Sequence, residues 1–312
     1  MFYDPNVDLI DLPPYRRRPN QHFVLFLMET PPQAPKIAFT YLSRHFYTLT
    51  MSYRKGSDIF SPFGYIQLRD KPLNTHYSAW KSIALSKLKA AVWMVTSCNT
   101  TSRRENYVTL LKQYMEVDAY GKCGDLKCKK EEIAYMKEEP CKQMLKKNYK
   151  FYLDFENSVC KDFVTEVFNR LDSHLVPVVV KRSFVEPFLP KGSFIAADDF
   201  KGSKELADYL NYLNRNWTAY TEYYKWKDFY EVVQFPKGIH MGTCQLCTKL
   251  VTDGFSATIR PSKSAVDVKS WFTDQGECVK DFGDFLTKRK NGIHRIMQEG
   301  ATGSHGTLRQ MN

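Results

Sequence analysis

The central part of the chain alternates segments of strand pattern with segments of helical pattern. The strand patterns, mostly continuous apolar runs, lie at residues 90–95, 115–120, 150–155 and 176–180. Helical patterns begin near Ser102, Lys161 and Ser203. Such alternation predicts an α/β fold with a parallel, doubly wound sheet whose strands are buried on both faces. A ligand of such a sheet binds at the carboxyl ends of its strands.

The pattern before residue 89 contains fewer elements. Phe23–Met28 predicts a buried strand that ends at Glu29, a proline-rich connection follows, and Leu49–Tyr53 predicts a second strand. These are too few elements for a complete α/β domain. The predicted organisation is therefore a partial N-terminal Rossmann-like domain (1–88), a second Rossmann-like domain (89–235), a C-terminal extension (236–299) and a disordered tail (300–312).

Composition narrows the class of partner only in part. The 312 residues carry a net charge of +11, which suits a phosphate-bearing partner but does not separate a nucleotide from a nucleic acid or a membrane surface. No run of 18 apolar residues occurs, and Met1–Asp11 lacks the pattern of a signal peptide, so we expect neither a membrane span nor a leader within this sequence.

Cysteines and sequons indicate an oxidising compartment. Asn99 and Asn216 each begin an Asn-x-Thr triplet and are predicted glycosylation sites. Two cysteine groups have spacings that suit either zinc or disulfides, namely Cys123, Cys128 and Cys141, and Cys244 with Cys247. Because no histidine lies at ligand spacing, disulfides are the favoured interpretation and no metal site is predicted.

Two residues at element ends are candidates for chemistry. Glu29 follows a hydrophobic strand, where partial desolvation suits a general base, although spacing alone favours a strand-end acid that faces water. Arg103 and Arg104 begin a helix directly after a buried strand, which suits phosphate binding by at most one of them, and the alternative is an exposed first-turn arginine. No glycine-rich phosphate loop occurs, which argues against a dinucleotide site or a P-loop.

Polar residues near residue 160 form a second candidate group. Asn157 follows a predicted strand and has the groups to hydrogen-bond a base or ribose, while Glu166 is suited to accept from sugar hydroxyls. Tyr152 and Phe163 are among the aromatics that would form a wall. The alternative is a turn residue at position 157 and aromatics that are simply core.

The block Tyr149–Ser158, continued by Lys161–Glu166, resembles the α1,3-fucosyltransferases, particularly their invertebrate, nematode-like members. Further matching pieces lie in the same order along the chain, at residues 49–59, 102–107, 176–179 and 244–247. The resemblance covers about residues 1 to 290, and the long central block is its most specific part.

The resemblance implies a GT-B fold, with two Rossmann-like domains of which the first is truncated at its N-terminus. It implies transfer of L-fucose from GDP-fucose to the 3-hydroxyl of N-acetylglucosamine in a glycan, with inversion and without a required cofactor. It also implies a protein of the Golgi lumen, held by a membrane anchor outside this sequence.

The same resemblance assigns roles to single residues. Glu29 matches the catalytic base, and Tyr53 and Arg54 match a segment that lines the cleft. Donor contacts are implied for Tyr152 and for four residues that match the family's donor site: Arg103, Asn157, Phe163 and Glu166. Cys244 and Cys247 match structural cysteines whose partners lie in the N-terminal part of the family's proteins.

Two departures from the family pattern bear on activity. Val167 stands where the family has a lysine that neutralises the departing diphosphate, and Phe163 replaces a tyrosine. A hydrogen bond to a charged group contributes about 1.5–3 kcal/mol, so we expect Val167→Lys to raise turnover by about 10–150-fold. The alternative is a catalytically degenerate paralogue that keeps the fold and the nucleotide or glycan binding.

Overall fold

The computed structural model describes residues 21–34, 46–127, 140–252 and 262–288. Its strands are β1 (Val24–Leu27), β2 (Leu49–Ser52), β3 (Ile59–Phe60), β4 (Tyr65–Leu68), β5 (Lys89–Met94), β6 (Val117–Tyr120), β7 (Tyr149–Leu153), β8 (Val176–Val179), β9 (Ile195–Ala196) and β10 (Tyr230–Val233). Its α-helices are α1 (Tyr77–Ser86), α2 (Arg104–Leu111), α3 (Pro140–Asn148), α4 (Val167–Asp172), α5 (Arg182–Val185), α6 (Ser203–Arg215), α7 (Trp217–Thr221), α8 (Lys237–Thr252), α9 (Lys263–Val266), α10 (Val268–Phe272) and α11 (Phe282–Lys288).

The larger sheet is fully parallel and has five strands in the order β6-β5-β7-β8-β9. In chain order this is 2-1-3-4-5, so the direction of winding reverses between β5 and β7. Ligands of open α/β sheets bind at such a switch point, outside the carboxyl ends of the strands. The predicted α/β class with a parallel sheet is confirmed, and the sheet itself indicates where a ligand site should lie.

The smaller sheet pairs β1, β2 and β3 in parallel. Every residue of β1 and β2 is buried, as the apolar runs predict. Helix α8 covers one face through Ile239, Leu246 and Leu250. The two parallel sheets form the kind of arrangement that the resemblance to GT-B proteins implies.

Two elements connect the predicted domains. Strand β4 pairs antiparallel with β10, although the two strands lie in different predicted domains. Trp80 and Ala84 of α1 pack in the core cluster of the five-stranded sheet, even though α1 precedes residue 89. These contacts cross the predicted domain boundary near residue 88. The position of that boundary therefore stays a prediction.

Disulfides join Cys98 to Cys123 and Cys160 to Cys278, and Cys141 is also disulfide-bonded. Cys244 and Cys247, which match structural cysteines of the family, are free, exposed thiols on α8, one of the two outcomes expected when their partners in the family's N-terminal part are not in the sequence. The bond between Cys160 and Cys278 was not predicted, because 118 residues separate the two cysteines.

Some predictions fall on residues that the model does not describe, namely Cys128 and the tail 300–312. In the described parts of the chain, no helix has both the length and the apolar character needed to cross a membrane. The same parts contain no group of three or more His, Cys, Asp or Glu side chains placed to hold a metal ion.

Candidate active site

A cavity of about 450 Å³ opens at the carboxyl ends of β5 and β7, the place that the switch point indicates. Three regions line it: the end of β1 with Glu29, the turn after β5 with Thr96 and Ser97, and the loop after β7. The remaining lining residues are Met28, Phe63, Met94, Arg104, Tyr152, Leu153, Asp154, Phe155, Glu156, Asn157, Phe163, Thr165, Glu166, Asn169 and Phe235. The cavity therefore lies between the two parallel sheets.

Glu29 lies at the β1 side of the cavity. A turn follows it, closed by hydrogen bonds from the backbone N–H groups of Gln33 and Ala34 to the carbonyl oxygen of Thr30, at 2.9 and 2.8 Å. Partial burial raises the pKa of the Glu29 carboxyl group above its usual value. A half-buried carboxylate with a raised pKa at a cavity wall has the properties of a general base.

Two adjacent arginines follow the turn after β5, and they point in different directions. Arg103, the residue predicted to bind phosphate, does not line the cavity; its Nε donates to Asp281 at 3.3 Å and its Nη1 donates to Asn99. Arg104 does line the cavity, and its Nη1 donates to the carbonyl oxygen of Phe155. The geometry therefore favours Arg104 as the cation of this site.

The loop between β7 and α4 (residues 154–166, called the β7–α4 loop) forms most of the opposite wall. The carboxylate of Glu156 accepts from the N–H and Oγ1 of Thr165 at 2.9 and 2.7 Å. The carbonyl oxygen of Asn157 accepts from the N–H of Ser102 and from Oγ1 of Thr101 at 3.1 and 3.0 Å. These contacts fix the loop against the start of α2.

Several buried polar atoms around the cavity have no hydrogen-bond partner within the described residues. They are Nε of Arg104, Oδ2 of Asp154 and Oδ1 of Asn157. Buried polar groups are normally paired, and each unpaired one costs roughly 1–3 kcal/mol. Three such atoms around one cavity are what a site shaped for a polar ligand would present.

Two buried acids lie side by side in the β7–α4 loop. Burial raises the pKa of the Asp154 carboxyl group, although Arg170 and Arg104 oppose the shift. Burial and the neighbouring Asp154 raise the pKa of Glu156, although its hydrogen bonds from Thr165 oppose the shift. The raised pKa of each group favours its neutral form, which would reduce the negative charge facing a phosphate-bearing ligand.

Tyr152 and Glu166 are linked through Arg170 on α4. The guanidinium group of Arg170 lies 3.9 Å from the centre of the Tyr152 ring, and its Nη2 donates to the Tyr152 hydroxyl at 2.8 Å. The same Nη2 pairs with Glu166. Arg170 is therefore held beneath the two cavity residues, and this positive charge was not predicted.

Tyr53 and Arg54, predicted to line the cleft, are not among the residues that line the cavity. Tyr53 is buried and packs edge-to-face against Phe163, with 5.1 Å between ring centres. Arg54 donates to main-chain carbonyl oxygens of Trp271 and Gln275. Both residues support the β7–α4 loop from behind.

Val167 has a different environment from the one that the resemblance implies. Its side chain is 2% exposed and packs in an apolar cluster with Phe168 and Leu171. It is not among the residues that line the 450 Å³ cavity. A lysine at this position would start in the apolar cluster rather than in the cavity, so the structure argues against an increase in turnover, and the effect of Val167→Lys stays a prediction.

The two predicted glycosylation sites differ in their surroundings. Asn99 lies in the exposed turn beside Cys98, and its side-chain oxygen accepts from Arg103. Asn216 caps α7 through a hydrogen bond from the N–H of Ala219 at 3.0 Å, while its amide group donates to the Tyr212 hydroxyl at 3.1 Å. Neither residue lines the cavity between the sheets.

Five of the predicted site residues line one cavity, namely Glu29, Tyr152, Asn157, Phe163 and Glu166. Of the two adjacent arginines the sequence interpretation chose Arg103 rather than Arg104, and it did not single out Asp154. Helix α2 begins at Arg104, and Arg103 precedes it in the left-handed conformation with φ of 53°. No local pattern in the sequence indicates which of the two arginines faces the cavity.

The fold and the cavity define an α/β protein with two parallel sheets and a polar cavity between them. Two family models match the sequence: "Glycosyltransferase family 10 (fucosyltransferase) C-term" over residues 84–271 and "Fucosyltransferase, N-terminal" over residues 1–64. The chain belongs to glycosyltransferase family 10.

Curated relatives agree with this family. Alpha-(1,3)-fucosyltransferase fut-1 of Caenorhabditis elegans is 37% identical over 262 residues, which is 80% of this chain and 57% of the relative. Alpha-(1,3)-fucosyltransferase C of Drosophila melanogaster is 32% identical, over 83% of this chain and 61% of the relative. The chain thus spans about three fifths of the length of these relatives.

A solved structure also matches. A crystal structure of an alpha1,3-fucosyltransferase with GDP-fucose aligns with a TM-score of 0.47 and 17% identity, over 78% of this chain and 78% of that chain.

Proposed function

We propose that this chain carries the donor site and the catalytic base of an inverting fucosyltransferase that uses GDP-fucose. The observation that carries the proposal is the shared cavity, in which Glu29 from β1 and Arg104, Asn157 and Glu166 from the five-stranded sheet line one space. Membership of glycosyltransferase family 10 supports the choice of donor.

The proposed reaction is a single displacement. Glu29 takes the proton from the acceptor hydroxyl as the oxygen forms a bond to the anomeric carbon of fucose. The bond between that carbon and the diphosphate oxygen breaks on the opposite face, and GDP leaves with the electron pair. Arg104 stabilises the charge that develops on the diphosphate, while Asn157 and Glu166 hydrogen-bond the nucleotide and the sugar.

The acceptor is proposed to contain N-acetylglucosamine. Two relatives carry names that specify such acceptors: a "3-galactosyl-N-acetylglucosaminide 4-alpha-L-fucosyltransferase" of Homo sapiens, 33% identical, and a "4-galactosyl-N-acetylglucosaminide 3-alpha-L-fucosyltransferase" of the same species, 31% identical. The names differ in the hydroxyl that is modified. We propose the 3-hydroxyl because the nematode and insect relatives are named α1,3-enzymes.

We also propose that the protein works in the Golgi lumen. The disulfides Cys98–Cys123 and Cys160–Cys278 support an oxidising compartment. The sequons at Asn99 and Asn216 fit the same location.

The test is transfer of fucose from GDP-fucose to a panel of glycans that carry terminal or internal N-acetylglucosamine. We expect transfer by the unmodified chain and its loss in Glu29→Gln. Binding of GDP with no transfer to any acceptor would favour the degenerate paralogue instead. Absence of both GDP binding and transfer would refute the proposal.

A further inference from the structure

The C-terminal segment of residues 262–288, called the C-terminal clasp, runs from one parallel sheet to the other. It begins beside β2, where the N–H of Ser262 donates to the carbonyl oxygen of Thr48 at 3.1 Å. It ends against α2, where the N–H groups of Asp281 and Gly283 donate to the carbonyl oxygens of Thr101 and Ser102 at 2.9 and 2.7 Å. The clasp therefore contacts both sides of the cavity.

The middle of the clasp is bound to the β7–α4 loop. The Cys160–Cys278 disulfide is the covalent link. The N–H of Val279 donates to the carbonyl oxygen of Val159 at 2.8 Å, and the N–H of Lys161 donates to the carbonyl oxygen of Gly276 at 2.9 Å. These contacts hold the centre of a loop whose two ends contribute Glu156, Asn157 and Glu166 to the cavity.

Arg54 joins the other side of the clasp to the end of β2. Its guanidinium group donates to the carbonyl oxygens of Trp271, Phe272 and Gln275, the last at 2.8 Å. The carbonyl groups at the end of a helix such as α10 lack partners within the helix and attract a positive charge. Arg54 also lies 4.0 Å from Asp162 of the β7–α4 loop, so it contacts the clasp and the loop together.

The clasp also touches the wall that carries Glu29. Gly276 lies so close to Pro31 that an added β-carbon would come within 3.0 Å of the proline ring. Pro31 is two residues after Glu29. One short stretch of the clasp, residues 271–279, thus contacts the β1 wall, the end of β2 and the β7–α4 loop.

We propose that Arg54 and the Cys160–Cys278 disulfide are positioning groups that fix the β7–α4 loop in its ligand-binding shape and set its place opposite Glu29. The role in donor binding rests on the function proposed above. Neither group lines the cavity. The disulfide acts through the clasp, and Arg54 acts through the clasp and through Asp162. Ordering a loop costs conformational entropy. When the loop is already ordered before the ligand binds, this cost does not weaken the binding free energy.

The test compares two variants with two matched controls in the full chain. The variants are Arg54→Lys and the double change Cys160→Ser with Cys278→Ser. Arg69→Lys is the arginine control. Arg69 also donates to main-chain carbonyl oxygens, those of Lys227 and Tyr230 at 3.1 Å each. These contacts lie beside the paired strands β4 and β10, away from the clasp. Cys244→Ser with Cys247→Ser is the cysteine control, since these thiols are free.

Three quantities are measured: the dissociation constant of GDP, the Michaelis constants of GDP-fucose and acceptor, and amide hydrogen exchange across residues 156–166. Both clasp variants should bind GDP about tenfold more weakly, which corresponds to about 1.4 kcal/mol. The KM of GDP-fucose should rise with little change in kcat or in the KM of the acceptor. Exchange across the loop should be faster, and both controls should match the unmodified chain.

A merely structural role would lower the melting temperature without moving the donor KM. If Arg54→Lys does not fold, the disulfides of the folded, unmodified chain are reduced, and GDP affinity and loop exchange are measured again. The variant with Cys160→Ser and Cys278→Ser is the control, because it lacks the Cys160–Cys278 bond and cannot respond to its reduction. Dissociation constants within twofold of the unmodified chain in both variants, or unchanged loop exchange, would overturn the proposal.

The exchange measurement separates this inference from the proposed function. Should the unmodified chain bind no GDP, the proposed function fails, but faster exchange in the two clasp variants alone would still support a held loop. Should GDP bind normally while exchange and affinity stay the same in every variant, only the role of the clasp fails.

Discussion

The two walls of the cavity differ in the contacts that hold them and in the groups that they present. The β7–α4 loop is tied down by side-chain hydrogen bonds, a disulfide and main-chain contacts to the clasp. The β1 wall presents Glu29, a half-buried carboxyl group at the end of a buried strand. This difference suits separate roles for the two walls. The β7–α4 loop, called the donor wall from here on, would bind the donor, and the β1 wall would supply a proton acceptor.

The largest expected effect is on the β1 wall. Glu29→Gln removes the proton acceptor and keeps the shape of the side chain, so we expect fucose transfer to fall by about 10³-fold, within the range for loss of a general base. The affinity for GDP should stay the same, because Glu29 lies opposite the donor wall. Initial rates of transfer and calorimetric titration with GDP measure the two quantities.

Loss of GDP affinity in Glu29→Gln would contradict the division between the walls. The pH profile adds a second check. Since Glu29 must be deprotonated to act and burial raises its pKa, kcat/KM should fall on the acidic side at a pH above the usual range for glutamate. This limb should be absent from the residual activity of the variant.

The next effect concerns stability rather than chemistry. Val167→Lys places an ammonium group in the apolar cluster around Phe168 and Leu171, which should destabilise the fold by about 3 kcal/mol. No increase in turnover is expected. Chemical denaturation and steady-state rates at a temperature where the variant is folded are the measurements, and Val167→Ala is the control for lost packing alone.

A stable Val167→Lys variant with raised turnover would show that a lysine at this position reaches the cavity after all.

The adjacent arginines Arg103 and Arg104, at the start of α2, give a third comparison. Arg104→Lys should weaken GDP binding by about 10–100-fold, because a lysine cannot reproduce the forked contacts of a guanidinium group. Arg103→Lys should change GDP binding by less than about twofold, since Arg103 makes exposed contacts with Asn99 and Asp281. Equal losses in both variants would remove the reason for preferring Arg104.

The same pair shows how far sequence reasoning reaches. Hydrophobic patterning located β1, β2, β5, β6, β7 and β8 to within one or two residues, since a buried parallel strand requires a continuous apolar run. The other strands of the described residues, β3, β4, β9 and β10, were not predicted. The strand order and its switch point were not predictable, because pairing between distant strands leaves no local pattern. Arg103 and Arg104 are equivalent by composition, and only the start of α2 at Arg104 decides which one faces the cavity.

Other site features lay beyond any local signal. The Cys160–Cys278 bond and the contact of Arg54 with the clasp join residues more than 100 positions apart. Asp154 lies inside a predicted strand pattern, and its position beside Arg104 arises from two separate elements, the β7–α4 loop and α2. By contrast, Glu29, Asn157 and Glu166 follow strands or begin helices, and element ends are visible in a sequence.

The smallest expected effect is a change in how the stability of the fold depends on pH, and it concerns Glu156 in the β7–α4 loop. Its pKa is raised in the folded protein by burial and by Asp154. A raised pKa contributes stability that is fully present below the unfolded-state pKa and is lost as the pH rises through the folded-state pKa. The unmodified protein should therefore lose stability between about pH 5 and about pH 8.

Glu156→Gln keeps an oxygen that accepts from Thr165 but cannot ionise. The variant should lose less stability over this interval, by about 1 kcal/mol or about 2–4 °C in melting temperature. Thermal unfolding at the two pH values measures the difference, with the exposed Glu222→Gln as control. Asp154 still titrates in the variant, so part of the loss should remain. An identical pH dependence in the variant and the unmodified chain would mean that Glu156 stays ionised in the fold, and the donor wall would then present more negative charge to a diphosphate than Arg104 alone offsets.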